Sequence, residues 1–155
     1  MDNSKTHSNF LKLSATHDVV DNTLELEVTF SCDGVSGRGS AYFNATSLKS
    51  TAEKLRVYPV PRSDSIALES GYFERGQASV LSEKHVSLRF AAGDLSPIEL
   101  HVGAGVPWHH KRGRQRWAEV TFLMDYEQLK RLSNGIEMLA SGERTSVKID
   151  LSTFG

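Results

Sequence analysis

Residues Thr23–Gly39 read TLELEVTFSCDGVSGRG. From Thr23 to Ser31 the alternation is strict: Leu24, Leu26, Val28 and Phe30 fall on one side, and Glu25, Glu27, Thr29 and Ser31 on the other. A period of two marks a strand with one face buried and one in water. The glycine-rich run that follows, with Asp33-Gly34, Gly37 and Gly39, puts residues that tolerate positive φ where a chain reversal needs them. Ser40–Asn44, with Ala41 and Phe43 in phase, then predicts the returning strand. Together these residues predict a β-hairpin.

Working outward from that hairpin, Ala45–Val57 (ATSLKSTAEKLRV) predicts a short helix with Leu48, Ala52 and Leu55 on one face. Thr46 or Ser47 is a candidate N-cap, and Ser50-Thr51-Ala52-Glu53 also fits a capping box. Pro59 and Pro61 end the helix, since proline has no amide hydrogen and clashes with the preceding turn. Alternating stretches follow at Ser65–Ser70, Val86–Phe90, Ile98–Val102 and Ala118–Met124, with a further short strand possible at Gln77–Leu81. The links SGYFERG and AAGDLSP are turn-rich and too short for crossover helices, which favours antiparallel meander connections.

Asp125–Ala140 (DYEQLKRLSNGIEMLA) predicts the second helix. Asp125 and Gln128 form a capping pair, Leu129, Leu132, Ile136 and Leu139 make the buried stripe, and Gly142 terminates it. Gly135 inside the helix costs roughly 1 kcal/mol against alanine, which points to a close packing contact there. Thr145–Leu151 alternates as a last strand. The fold class expected is α+β: an antiparallel sheet of about 7–8 strands, rolled or sandwich-like, with two amphipathic helices packed on it. Residues 1–155 read as a single domain, with 1–9 frayed.

Composition agrees with a self-sufficient core. A chain of 155 residues buries roughly 70% of its unfolded surface on folding. With 39% apolar and 24% charged residues it lies far from the composition of disordered chains. Cys32 is the only cysteine, so neither an internal disulfide nor a cysteine-based zinc site can form, and its strand position reads as a buried spectator. There is no stretch of roughly 18 apolar residues to span a membrane and no signal-type segment, so a cytoplasmic location is expected.

Motifs for chemistry are sparse. Gly34–Gly39 (GVSGRG) feeds a strand, whereas a phosphate-binding loop feeds a helix N-terminus. No HExxH, CxxC, GxSxG or facial-triad spacing is present, and the six histidines include no helical i, i+4 pair. No cofactor, metal site or catalytic residue is therefore assigned, and the chain reads as a non-enzyme. The anomaly is Pro107–Trp117, PWHHKRGRQRW. Between His109 and Arg116 it carries four Lys/Arg and no acid, which leaves 14 Lys/Arg against 19 Asp/Glu elsewhere, a balance of -5. Trp108, His109, His110, Lys111, Arg112, Arg114 and Arg116 are the candidate partner-binding residues. Arginine forks suit carboxylate or phosphate, and Trp108 or Trp117 suits stacking. The competing reading is a solvated hairpin tip with Trp117 packed in the core. An acidic protein surface fits four cations on a near-neutral domain better than a nucleic acid does, because Glu99, Glu119 and Asp125 flank them. A nucleic-acid-binding module using residues 108–117 is the alternative.

The segments TLELEVTFSCDGVSGRGSAYFNATSLKSTAEKL, LESGYFERG, VSLRFAAGD, IELHVGAGV and AEVTFLMDYEQLKRLSNGIEML span roughly residues 23–140. In this order they resemble small bacterial immunity proteins of the WapI type. The resemblance rests on Ser36-Gly37, the helix around Leu48 and Leu55, and Asp125 with Leu129. It implies a cytosolic protein that neutralises a cognate toxin through a protein–protein interface, without catalysis. The basic segment departs from that pattern.

Overall fold

Asp33 and Gly34 make the first reversal. Both have positive φ, 49° and 85°, the two-residue turn whose twist matches that of the flanking strands. Asn9 fastens this turn: its Oδ1 accepts from the Asp33 amide at 2.9 Å, and its Nδ2 donates to Asp33 Oδ1 at 3.2 Å. The computed structural model describes residues 9–18, 21–62, 66–74, 77–93, 97–106 and 116–151. Within them run β1 (Phe10–His17), β2 (Thr23–Cys32), β3 (Val35–Asn44), α1 (Ala45–Leu55), β4 (Ile66–Glu74), β5 (Gln77–Ala92), β6 (Ile98–Gly105), β7 (Trp117–Met124), α2 (Tyr126–Ser141) and β8 (Ser146–Asp150).

The α+β class holds, and the sheet expected as one unit of seven or eight strands is two sheets of four. The first has the order β3-β2-β1-β8, the second β4-β5-β6-β7, and all neighbours are antiparallel. β1, an inner strand of the first sheet, is not among the strands expected from the sequence. Its residues FLKLSATH alternate, with Leu11, Leu13 and Ala15 buried, and His17 at its end donates from Nε2 to the Leu139 carbonyl at 2.7 Å. The link expected at SGYFERG is shorter than read, because β4 continues to Glu74 through register shifts at Ser70/Gly71, Tyr72/Phe73 and Phe73/Glu74, and β5 begins at Gln77. Bulges of this kind let a strand bend while it keeps its partner. The two short strands expected opposite it are one, the 16-residue β5.

Gly37 and Gly39 do not turn the chain. They lie inside β3, which contacts every strand of the second sheet. At Gly39 a Cβ would stand 2.4 Å from the His85 carbonyl oxygen and 2.6 Å from that of Gly105. Only glycine lets the backbones meet so closely. The inner faces of the two sheets then share one core with Leu26, Val28 and Phe30 from the first and Leu88, Phe90, Leu100 and Phe122 from the second.

The helices close the same core. The Asn44 side chain caps α1 by accepting from the Thr46 amide at 2.8 Å, in place of the threonine and serine caps expected, and α1 stops at Leu55, before the prolines. The capping box of α2 is as read: the Gln128 amide donates to Asp125 Oδ1 at 2.7 Å, and Gln128 Oε1 accepts from the Asp125 amide at 3.0 Å. Gly142 ends it with φ 83°. The contact inferred at Gly135 is with β8, where a Cβ would lie 2.6 Å from a Val147 methyl. Among the described residues no helix is long and apolar enough to cross a membrane.

Gly39→Ala should cost about 3 kcal/mol in urea unfolding, as overpacking against immobile backbone does. Gly34→Ala has open space but a φ of 85° and should cost only about 1 kcal/mol. Equal losses would refute the close crossing.

Candidate functional site

The inner face of the second sheet belongs to the core, so its chemistry lies on the outer face. Two cross-strand rows are set there by the register: Glu69, Ser87, Gly103 and Glu119, then Ala67, Arg89, His101 and Thr121. Gly103 leaves a notch in the first row. The Trp117 indole fills part of it, with Cζ2 2.3 Å from where a Gly103 Cβ would be. Beside it is a cavity of about 330 Å³, open to solvent and bordered by Lys84, Arg89, His101, Trp117, Glu119 and Thr121.

The carboxylates of this face are occupied from within. Glu69 Oε2 accepts from Ser87 Oγ at 2.8 Å and pairs with Lys84 Nζ at 2.8 Å. Burial opposes its ionisation, but the hydrogen bonds from Lys84 and Ser87 and the charges of Lys84 and Arg89 outweigh that and hold the carboxyl below its ordinary range. Glu119 Oε1 accepts from Trp117 Nε1 at 2.7 Å. His101 Nδ1 shares a hydrogen bond of 2.9 Å with Thr121 Oγ1, and its Nε2 stands 3.9 Å from Glu99 Oε2. The Arg89 side chain forms no hydrogen bond or ion pair among the described residues; Glu69 feels its charge only at longer range.

A hydroxyl, an imidazole and a carboxylate in line is the order of a nucleophile, its base and an orienting group. Here 3.9 Å is too long for the last hydrogen bond, and what remains is a histidine–threonine pair. Cys32 is buried, and burial together with the Asp33 charge pushes its thiol up, away from the reactive thiolate. Among the described residues no group of three His, Cys, Asp or Glu is placed to hold a metal ion. The arrangement suits binding: a lone guanidinium, an indole wall and a floor of polar hydrogen-bonding side chains.

Of the candidates read from the sequence, Trp108, His109, His110, Lys111, Arg112 and Arg114 lie outside the described residues. Arg116 is described and exposed, and its carbonyl accepts from the Val106 amide at 3.1 Å, which extends the β6–β7 ladder by one pair. The described chain ends at Val106 and resumes at Arg116, next to Trp117. Trp117 itself is half-buried and on the outer face, not in the core. Lys84, Ser87, Arg89, His101 and Thr121 were missed as site residues. The signal for four of them was the polar phase of three strands, Ser87/Arg89, Glu99/His101 and Glu119/Thr121, which registers only once the strands are paired. No protein-family model, characterised protein or solved structure matches the chain.

Glu69 has a lowered native pKa, so its ion pair stabilises the fold above the ordinary carboxylate range and ceases to do so as pH falls through the lower native value. The stability gap between the wild type and Glu69→Gln should therefore be full at pH 7 and shrink below about pH 4. Urea unfolding across that range measures it, and a gap independent of pH would contradict the assignment.

Proposed function

We propose that the protein is a non-enzymatic binding protein of the immunity type, which neutralises a cognate toxin by covering an acidic surface of it. The observation that carries this reading is the imbalance on the outer face of β4–β7. Its three carboxylates each have a neighbouring donor or imidazole, while the Arg89 side chain makes no hydrogen bond or ion pair among the described residues and borders the cavity beside Trp117. Arg116, exposed just before β7, adds a described cation next to Trp117, and in the sequence it closes the basic run 108–116.

A partner's aspartate or glutamate accepts the two parallel bonds of a guanidinium fork, and an adjacent indole supplies buried apolar area at small entropic cost. Charge of this kind acts on encounter rate and on discrimination between partners as much as on affinity. Glu69, Glu99 and Glu119 on the same face weigh against nucleic acid, whose phosphates they would repel. The order of elements that resembles WapI-type immunity proteins supports a toxin as the partner class. Cytosolic neutralisation of that toxin is part of the same proposal.

Co-expression with the product of the adjacent gene, followed by size-exclusion chromatography at several salt concentrations, should give a stoichiometric complex. Arg89→Ala and the pair Arg112→Ala/Arg114→Ala should each weaken it by at least tenfold in calorimetry. Separate elution at every salt concentration would refute the reading. Salt-sensitive binding of labelled single-stranded RNA, lost in Arg112→Ala/Arg114→Ala, would move the function to nucleic acid.

A further inference from the structure

The first sheet presents a second surface, which shares no lining residue with the cavity described above. β8 is the edge strand of the first sheet. The Ala15 amide donates to the Thr145 carbonyl at 2.9 Å, and the Leu151 amide to the Asn9 carbonyl at 3.1 Å. Antiparallel pairs alternate, so the odd-numbered residues of β8 bond to β1 and the even-numbered ones direct their backbone groups to the open side. The Asp150 carbonyl there accepts from Gln128 Nε2 at 3.3 Å. Among the described residues nothing pairs with the outward amides and carbonyls of Ser146 and Lys148.

Between this edge and α2 lies a cleft of about 360 Å³. Its floor is aliphatic, from Met138, Val147 and Ile149, with Gly135 letting helix and strand approach. Arg131, which pairs with Glu127, and Arg144 stand at its rim, while Lys148 and Asp150, which complete the lining, turn their side chains to the other face of the strand. On the other face of the strand, Lys148 stands directly opposite Lys12 of β1, and both are exposed. Like charges in directly opposed positions destabilise a sheet, and a carboxylate beside them relieves it. The aromatic ring of Phe10, 4.8 Å from Lys148 Nζ, keeps the ammonium over the sheet.

We propose that the open edge of β8 takes up an extended acidic segment of a protein partner as an added strand, in the cleft beside α2. Backbone bonds to Ser146 and Lys148 supply sequence-independent affinity, and alternate side chains supply the selectivity. Residues turned toward α2 meet the aliphatic floor and are aliphatic. Residues turned the other way meet Lys148 and Lys12 and are acidic. A second copy of this chain fits less well, because β8 paired with β8 about its centre would place Lys148 against Lys148, beside Lys12.

The test uses the full 15N-labelled chain and a doubly capped Val-Glu-Val-Glu-Val peptide. The Ser146 and Lys148 amides should shift progressively and gain protection from exchange, in the wild type and in Arg89→Ala alike. The Val-Lys-Val-Lys-Val peptide should leave them unmoved, and Lys148→Glu, an exposed change, should weaken the acidic peptide at least tenfold. Unmoved Ser146 and Lys148 amides would overturn the proposal, as would equal effects of the two peptides or tighter binding of a peptide copied from residues 145–151. Loss of the shifts in Arg89→Ala would assign the peptide to the β4–β7 face instead. A failed complex with the neighbouring gene product would leave these amide shifts intact, so the two proposals fail separately.

Discussion

The backbone of Gly39 lies against the His85 carbonyl and the backbone of Gly105, and no side chain fits between them. This contact lets β3 cross the second sheet at close range, and the rest of the molecule follows from it. With the sheets so joined, the apolar phase of each must turn toward the other, which places Phe30, Phe90 and Phe122 in one interior. The polar phase of β4–β7 must then turn to solvent. A bulkier residue at 39 would separate the sheets and loosen the floor on which Arg89, His101 and Trp117 stand.

Periodicity made the first hairpin, α2 and most strands legible, because each pairs a clear alternation or helical stripe with an identifiable terminator. Asp33-Gly34 and the Asp125/Gln128 box are local signals, complete within four residues, and both hold. What escaped depends on distant partners. β1 shows the same alternation as β2, but it is short and stands beside an N-terminal stretch of polar residues that invites a frayed reading. Its strand character is secured by β2 on one side and β8 on the other, far away in the sequence. Gly37 and Gly39 look like turn residues until the second sheet is laid across them. The continuity of β4 and β5 likewise hides behind bulges, since a register shift breaks alternation without breaking the strand.

The site was legible in part. The basic segment is plain from charge alone, yet charge says nothing of the face it joins. The core position of Trp117 in the competing reading conflicts with its phase: Ala118, Val120, Phe122 and Met124 take the buried side, so residue 117 points away. Arg89 carries no local signal at all. Its importance comes from what its neighbours do, with Glu69 held by Lys84 and Ser87, and Glu119 held by Trp117. Only three-dimensional pairing of charges separates Arg89, whose side chain has no ion pair among the described residues, from Lys84 on the same face.

The central claim is the crossing of the two sheets at Gly39. A 13C- and 15N-edited nuclear Overhauser experiment on the full chain tests it most directly. Cross-peaks are expected between the Gly39 α-protons and the backbone protons of Gly105, residues 66 positions apart in the chain and in different sheets. Clear cross-peaks along the β2–β3 and β6–β7 ladders with none between Gly39 and Gly105 would contradict it.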